Sequence, residues 1–193
     1  MRVIAGTARS LPLKTSEGKD TRPTTDRIKE TLFNMLQSHI PGCVFVDLFS
    51  GSGGIGIEAL SRGAKSAYFV ESDRNATKNI RDNLAFTRLA DRAVVLQEDA
   101  RRAFYKIKEV PDIVFMDPPY NSGLEQEILE VLAKSGQITE ETMIVVEASL
   151  KTDFSYVERW GFQIIKEKCY KTNKHMFMRR NTQDEDSDLS GQF

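Results

Sequence analysis

Asp117-Pro118-Pro119-Tyr120 brings together the residue types needed for work on a planar amino group. A carboxylate and backbone carbonyls accept hydrogen bonds from such a group, and an aromatic face supports the ring that carries it. The tetrapeptide follows Ile113-Val114-Phe115-Met116, an apolar run that reads as a buried strand. Two successive prolines cannot continue a sheet ladder. The backbone is therefore expected to turn there with its carbonyls unpaired and Asp117 at the strand tip. This pattern points to chemistry on an exocyclic nitrogen.

A second constellation lies upstream, in Asp47-Leu48-Phe49-Ser50-Gly51-Ser52-Gly53-Gly54-Ile55-Gly56. Gly51, Gly53 and Gly56 satisfy G-x-G-x-x-G between a predicted strand and a predicted helix. Glycines there permit a tight turn and close backbone approach to a ligand at a helix N-terminus. Glu71 ends the next predicted strand, about 20 residues on, where an acid takes ribose hydroxyls. The pattern alone suits either a dinucleotide or S-adenosylmethionine. Asp47 favours the latter, since a carboxylate welcomes its cationic amino acid end and repels pyrophosphate. Glu98-Asp99-Ala100 closes the third predicted strand, where Asp99 can accept from an adenine amino group and can also cap the following helix. Phe49 and Ser50 belong to the same loop, Phe49 chiefly as packing beneath it.

The elements that must position these groups follow from periodicity. Strands are predicted at 44–48, 66–70, 93–97, 112–116, 143–147, 162–168 and 174–178. Helices are predicted at 55–62, 74–87, 100–108, 125–135 and 155–160. The alternation implies an α/β fold: a Rossmann-like, mostly parallel seven-stranded sheet with helices on both faces. The last two strands follow one another directly, which implies an antiparallel hairpin at one edge. Ahead of this, residues 1–41 read as an extension packed on the core. It holds a hairpin near Arg2–Gly6, a turn over 18–25, and a helix capped by Thr25 or Asp26 with an apolar stripe of Ile28, Leu32, Met35 and Leu36. Residues 42–180 form the main domain and 181–193 an acidic, disordered tail.

The chain has 193 residues, 40% hydrophobic and 28% charged, as expected for one globular domain. No apolar run is long enough to span a membrane and no signal peptide is evident, so a cytoplasmic protein without a membrane partner is expected. Cys43 and Cys169 read as buried thiols, and His39 and His175 are isolated, which argues against a metal. The formal net charge of −1 conceals an asymmetry. The tail carries Asp184, Glu185, Asp186 and Asp188, whereas Lys166, Lys168, Lys171, Lys174, Arg179 and Arg180 cluster just before it. The basic ends suit a nucleic-acid footprint, or equally a solvated edge strand guarded by lysines.

Taken in order, these motifs resemble those of class I S-adenosylmethionine-dependent methyltransferases acting on an amino nitrogen. Further segments are similar to the RsmD-type bacterial small-subunit (16S) ribosomal RNA guanine-N2 methyltransferases. They are Arg2-Val3-Ile4-Ala5-Gly6, Thr21-Arg22-Pro23-Thr24, Glu30-Thr31-Leu32-Phe33-Asn34 and Glu58-Ala59-Leu60-Ser61-Arg62-Gly63-Ala64. The resemblance spans roughly residues 1–180 by motif order. The chain departs from the pattern at Thr7-Ala8-Arg9-Ser10-Leu11 and at Tyr170-Lys171-Thr172.

The resemblance implies a monomeric enzyme that methylates N2 of a guanine in 16S rRNA or in a small-subunit assembly intermediate. Asp117, Pro118, Pro119 and Tyr120 would be catalytic. Asp47, Phe49, Ser50, Gly51, Gly53, Glu71, Asp99 and Ala100 would hold the cofactor. Arg22 and Thr24 would lie near the active site, on the methionine carboxylate or the RNA backbone, and Lys171, Lys174, Arg179 and Arg180 on RNA. The rivals are a DNA adenine-N6 or cytosine-N4 methyltransferase, for which the chain lacks room for a target-recognition region, and a non-catalytic RNA-binding assembly module. A glutamine-N5 methyltransferase is disfavoured by Asp117 and an NAD-dependent oxidoreductase by Asp47.

Overall fold

A computed structural model describes residues 1–15, 26–120 and 122–181. Seven strands form one sheet: β1 (Val44–Asp47), β2 (Ser66–Glu71), β3 (Ala93–Gln97), β4 (Ile113–Met116), β5 (Met143–Ser149), β6 (Phe162–Cys169) and β7 (Asn173–Arg180). Their spatial order is β3-β2-β1-β4-β5-β7-β6. The pairs from β3 through β5 are parallel, and β7 inserts antiparallel between β5 and the edge strand β6. The expected Rossmann-like sheet with its antiparallel hairpin is what the chain forms.

Strand periodicity divides the core in two. Phe45, Phe69, Ile113, Phe115, Val145 and Phe177 pack on one face with α1 (Asp26–Met35), α2 (Gly54–Ser61) and α3 (Arg74–Thr87). Val46, Val70, Val114, Met116, Val146 and Met178 pack on the other with α4 (Ala100–Ala103) and α5 (Leu124–Lys134). Alternate residues of a strand point to opposite faces, so a strand buried on both sides must be apolar throughout. β1, β4 and β5 meet this up to their C-terminal ends, where acids replace the apolar residues.

Two predicted helices are shorter than expected. Residues 100–108 give one α-helical turn, Ala100–Ala103, then a 3-10 turn over Phe104–Lys106, and 155–160 give only a 3-10 turn, Val157–Trp160. Both segments carry aromatic or β-branched residues that seat one side chain in the core, Phe104 and Val157, without a full amphipathic stripe. Cys43 is buried, whereas Cys169 is exposed at the end of the edge strand, contrary to expectation.

The N-terminal segment clasps the helix that carries the glycine loop. Arg2 and Pro12 form a single bridge, and Val3, Ala8 and Leu13 join the same core as Leu32, Phe33 and Leu36 of the α1 region. The predicted stripe is rotated: Ile28 is half-buried and Lys29 is fully buried in its place. Glu58 of α2 explains this. Its carboxylate sits 3.4 Å from Lys29 Nζ and accepts from the Ile4 and Ala5 amides at 2.7 and 3.0 Å and from Arg62 Nε at 2.8 Å. Burial lowers the Lys29 pKa, opposed chiefly by Glu58. Removing one partner of such a buried pair typically costs about 3–5 kcal/mol.

Candidate active site

The glycine loop leaves the C-terminal end of β1. Gly51 and Gly53 have φ of 53° and 81°, left-handed conformations that other residues adopt reluctantly. Gly56 serves packing: a Cβ there would stand 2.4 Å from the Phe69 ring, so α2 approaches the sheet only because the residue is glycine. Asn83 of α3 secures the loop from behind, donating to the Ser52 carbonyl at 2.9 Å and the Lys14 carbonyl at 3.0 Å.

Three acids ring this loop, each held differently. Glu71 accepts from the Gly51 amide at 2.9 Å and the Asp73 amide at 2.8 Å, which fixes its carboxylate at the end of β2 beside the loop. Asp47 is buried. One oxygen accepts from the Gly56 amide at 3.2 Å and the other, Oδ1, is buried without a hydrogen-bond partner. Burial pushes its pKa up to about 7, against the opposing pull of the Gly56 amide. A buried, half-satisfied carboxylate under a glycine loop fits a cationic ligand group, which is the feature expected of an S-adenosylmethionine site. Asp99 caps α4 through the Arg101 amide at 2.9 Å, and the Arg101 guanidinium grips it at 2.9 and 2.7 Å, holding its pKa down to about 2. Capping is thus realised at Asp99. Ala100 is buried beside it, Ser50 bonds the Asp47 carbonyl at 2.9 Å, and Phe49 packs against the core.

The tetrapeptide lies at the C-terminal end of β4, next to β1 and β5 in the sheet. Asp117 is half-buried, Pro118 buried, and Pro119 and Tyr120 exposed. The carbonyls are not all unpaired, as the sequence suggested: that of Pro119 accepts from the Ser122 hydroxyl at 2.6 Å. The Tyr120 hydroxyl stands 3.4 Å from Glu147 Oε1. Burial first, then the charges of Glu147, Asp47 and Glu125, raise the Asp117 pKa well above the usual carboxylate range. Asp47 and Asp117, far apart in the chain, thus stand at the ends of the neighbouring strands β1 and β4, close enough for their charges to interact.

The basic candidates separate. Lys174 is buried, 3.3 Å from Glu167 and over the Phe154 ring. Arg180 donates to the Ile138 and Ala133 carbonyls at 2.8 and 2.5 Å and lies over Phe162. These two side chains, expected on RNA, instead make contacts within the fold. Lys171 is exposed and Arg179 half-exposed. Arg22 and Thr24, the turn over 18–25, the Thr25 cap, and the tail beyond Asn181 lie outside the described residues. Sequence reading missed Glu147 and His175, whose roles depend on cross-strand pairing.

A sheet of this order, a glycine loop after its first strand, an acid at the end of the second and an Asp-Pro-Pro-Tyr tip on the fourth define a class I S-adenosylmethionine-dependent methyltransferase. The chain belongs to the family described as conserved hypothetical protein 95, whose profile matches residues 1–179. It is 40% identical over 152 residues to ribosomal RNA small subunit methyltransferase D of Escherichia coli K12, covering 78% of this chain and 76% of that protein. The protein of the same name from Haemophilus influenzae is 35% identical over 173 residues, 87% of this chain and 88% of its own. Among solved structures, yhhF from Escherichia coli, a methyltransferase by its name, superposes with a TM-score of 0.83 at 35% identity. That match covers 95% of this chain and 99% of the other.

Proposed function

We propose that this protein transfers a methyl group from S-adenosylmethionine to the exocyclic N2 of a guanine in small-subunit ribosomal RNA. The observation that carries the reading is the placement of the Asp-Pro-Pro-Tyr tip at the C-terminal end of β4, beside β1 and the glycine loop that follows it. The names of the two small-subunit relatives support the choice of RNA.

The cofactor, when bound, supplies an electrophilic methyl on a cationic sulfur. Asp47 would hold its amino acid end, Glu71 its ribose and the acids after β3 its adenine. The guanine amino group is a weak nucleophile because its lone pair is delocalised into the ring. Asp117 and the Pro118 carbonyl accept its N–H bonds and favour a pyramidal nitrogen, which frees the lone pair for in-line attack. Tyr120, exposed at the tip, stacks on the base, a contact worth about 1–3 kcal/mol in single-strand binders. The methylated nitrogen then carries one proton too many. Asp117, more basic than an ordinary carboxylate, receives it. A paired base is inaccessible to such a tip, so the target is a loop nucleotide or one flipped out. Lys171, exposed in the turn between β6 and β7, remains as a contact to its backbone, whereas Arg179 lies beside Met143 at the opposite end of the sheet.

The test is methylation by the purified protein of 16S rRNA and of small subunits from cells lacking its gene, using isotopically labelled cofactor. Nucleosides are then identified by mass spectrometry. N2-methylguanosine at one position is expected. Labelled N6-methyladenine in a parallel DNA reaction, with none in rRNA, would overturn the reading.

A further inference from the structure

Behind the tetrapeptide lies a hydrogen-bonded chain of side chains that the methyl-transfer reading does not use. Glu147 and His175 are register partners across the antiparallel β5–β7 pair. Both are buried, at 4% and 0% exposure, with His175 Nε2 3.0 Å from Glu147 Oε2. His175 Nδ1 lies 3.1 Å from the Tyr170 hydroxyl. Burial and then the Glu147 charge push the Tyr170 phenol up to about 12, so it remains a neutral hydrogen-bond partner of Nδ1. An ionised carboxylate only accepts, so toward Glu147 the Nε2 of His175 is the donor. The other carboxylate oxygen accepts from Asn173 Nδ2 at 2.5 Å and meets the Tyr120 hydroxyl at 3.4 Å. Phe115 and Phe177 wall the imidazole edge-on at 6.2 and 6.5 Å.

A core needs no carboxylate–imidazole pair here, since apolar residues of similar volume are commonly as stable. What distinguishes this carboxylate is its position. Period-two alternation puts Glu147 on the same sheet face as Val145, and His175 on that of Phe177, the face that continues through Asp47 toward Asp117. Through Tyr120 it touches the residue that meets the substrate.

We propose that Glu147, held by His175 and Asn173 with Tyr170 behind the imidazole, is a positioning residue for methyl transfer: it steadies Tyr120 and sets a negative charge against Asp117. The inference rests on the reading that Asp117 handles the substrate amino group. The charge acts on the proton step alone. Nitrogen attacks the methyl carbon, the carbon–sulfur bond breaks with its electron pair going to sulfur, and the surplus proton passes from nitrogen to the Asp117 carboxylate. A neighbouring anion makes that carboxylate a better proton acceptor. The other groups facing this pair are Asp47 from β1, Glu125 from α5 and Tyr120 from the tip. The two acids act in the same sense as Glu147, and among the described residues no cation is one of the groups that shift Asp117.

Two measurements separate this inference from the identity of the substrate. The first is the carboxyl titration of Asp117 by carbon-13 NMR in the ligand-free protein, for wild type, Glu147→Gln, His175→Leu and His175→Gln. Glu147→Gln should move the Asp117 midpoint down by about one pH unit. His175→Leu should move it in the same direction, and His175→Gln, which keeps an N–H donor, should restore it. The second is kcat against pH on the RNA substrate. The acid limb should shift as the Asp117 midpoint does, with kcat down about three- to tenfold and KM for the cofactor unchanged. An unmoved Asp117 midpoint in folded Glu147→Gln, or identical behaviour of the two His175 variants, would overturn the proposal. A wild-type protein that makes no N2-methylguanosine would instead sink the functional reading and leave the titration result standing.

Discussion

The two halves of the cleft hold their carboxylates in opposite ways. On the cofactor side, Glu71 rests on two backbone amides and Asp99 on an amide and an arginine, so both are satisfied by groups close in sequence or fixed by the glycine turn. On the acceptor side, Asp117 stands among Glu147, Asp47 and Glu125, and the partners of Glu147 are side chains from β7 and the tip. The first arrangement fixes the carboxylates in place to grip a ligand. The second raises the basicity of one acid, which suits a proton acceptor. Asp47 belongs to both: it lies in the glycine loop yet is buried and raised like Asp117.

The sharpest way to break this comparison is Asp117→Ala. Methyl transfer should fall by about 10²–10⁴ while cofactor affinity, measured by calorimetry, changes little. A comparable loss of affinity would mean the halves are not separate. Next is the scaffold under the glycine loop. Glu58→Ala leaves Lys29 unpaired and two amides unsatisfied, and should cost about 3–5 kcal/mol in denaturant unfolding.

Asp47 sharpens the comparison through pH. Its folded pKa of about 7 lies above the ordinary aspartate value of 3.8, so the ligand-free fold binds the extra proton between those limits. This contribution to stability is full below the lower value and is lost as pH rises through about 7. Cofactor binding should run the other way, because a cationic group requires the ionised carboxylate. Affinity should rise about tenfold per pH unit below 7 and level off above it. A flat profile from pH 5 to 8 would remove Asp47 from contact with the cation. The smallest effect is expected for Arg101→Ala. The Asp99–Arg101 pair is largely solvent-exposed, so its loss should change stability by less than about 1 kcal/mol and leave the α4 cap in place.

Much of this was legible from local pattern. The bounds of β3 and α3 coincide with those predicted, because Ala93–Gln97 is a short apolar run and Asp73 caps a helix with a regular stripe. The acids at strand ends were legible for the same reason, since each closes an apolar run. What misled were residues whose partners are remote. Lys29 replaces Ile28 on the buried face of α1 because Glu58, on another helix, needs a cation. Lys174 and Arg180 read as surface charges until the β7 pairing places one over Phe154 and the other under the end of α5. His175 read as isolated because Glu147 and Tyr170 reach it only through the fold.

The sequence by itself determined the class of chemistry. Glycines where a backbone must turn left-handed, acids at strand ends and two prolines that stop a strand before a tyrosine are local constraints, and local constraints are written in consecutive residues. The tertiary structure alone decided which acid is basic. The proton affinity of a carboxylate depends on burial and on charges a few ångströms away, and those neighbours come from β1, β5 and α5, brought to Asp117 by strand order and register.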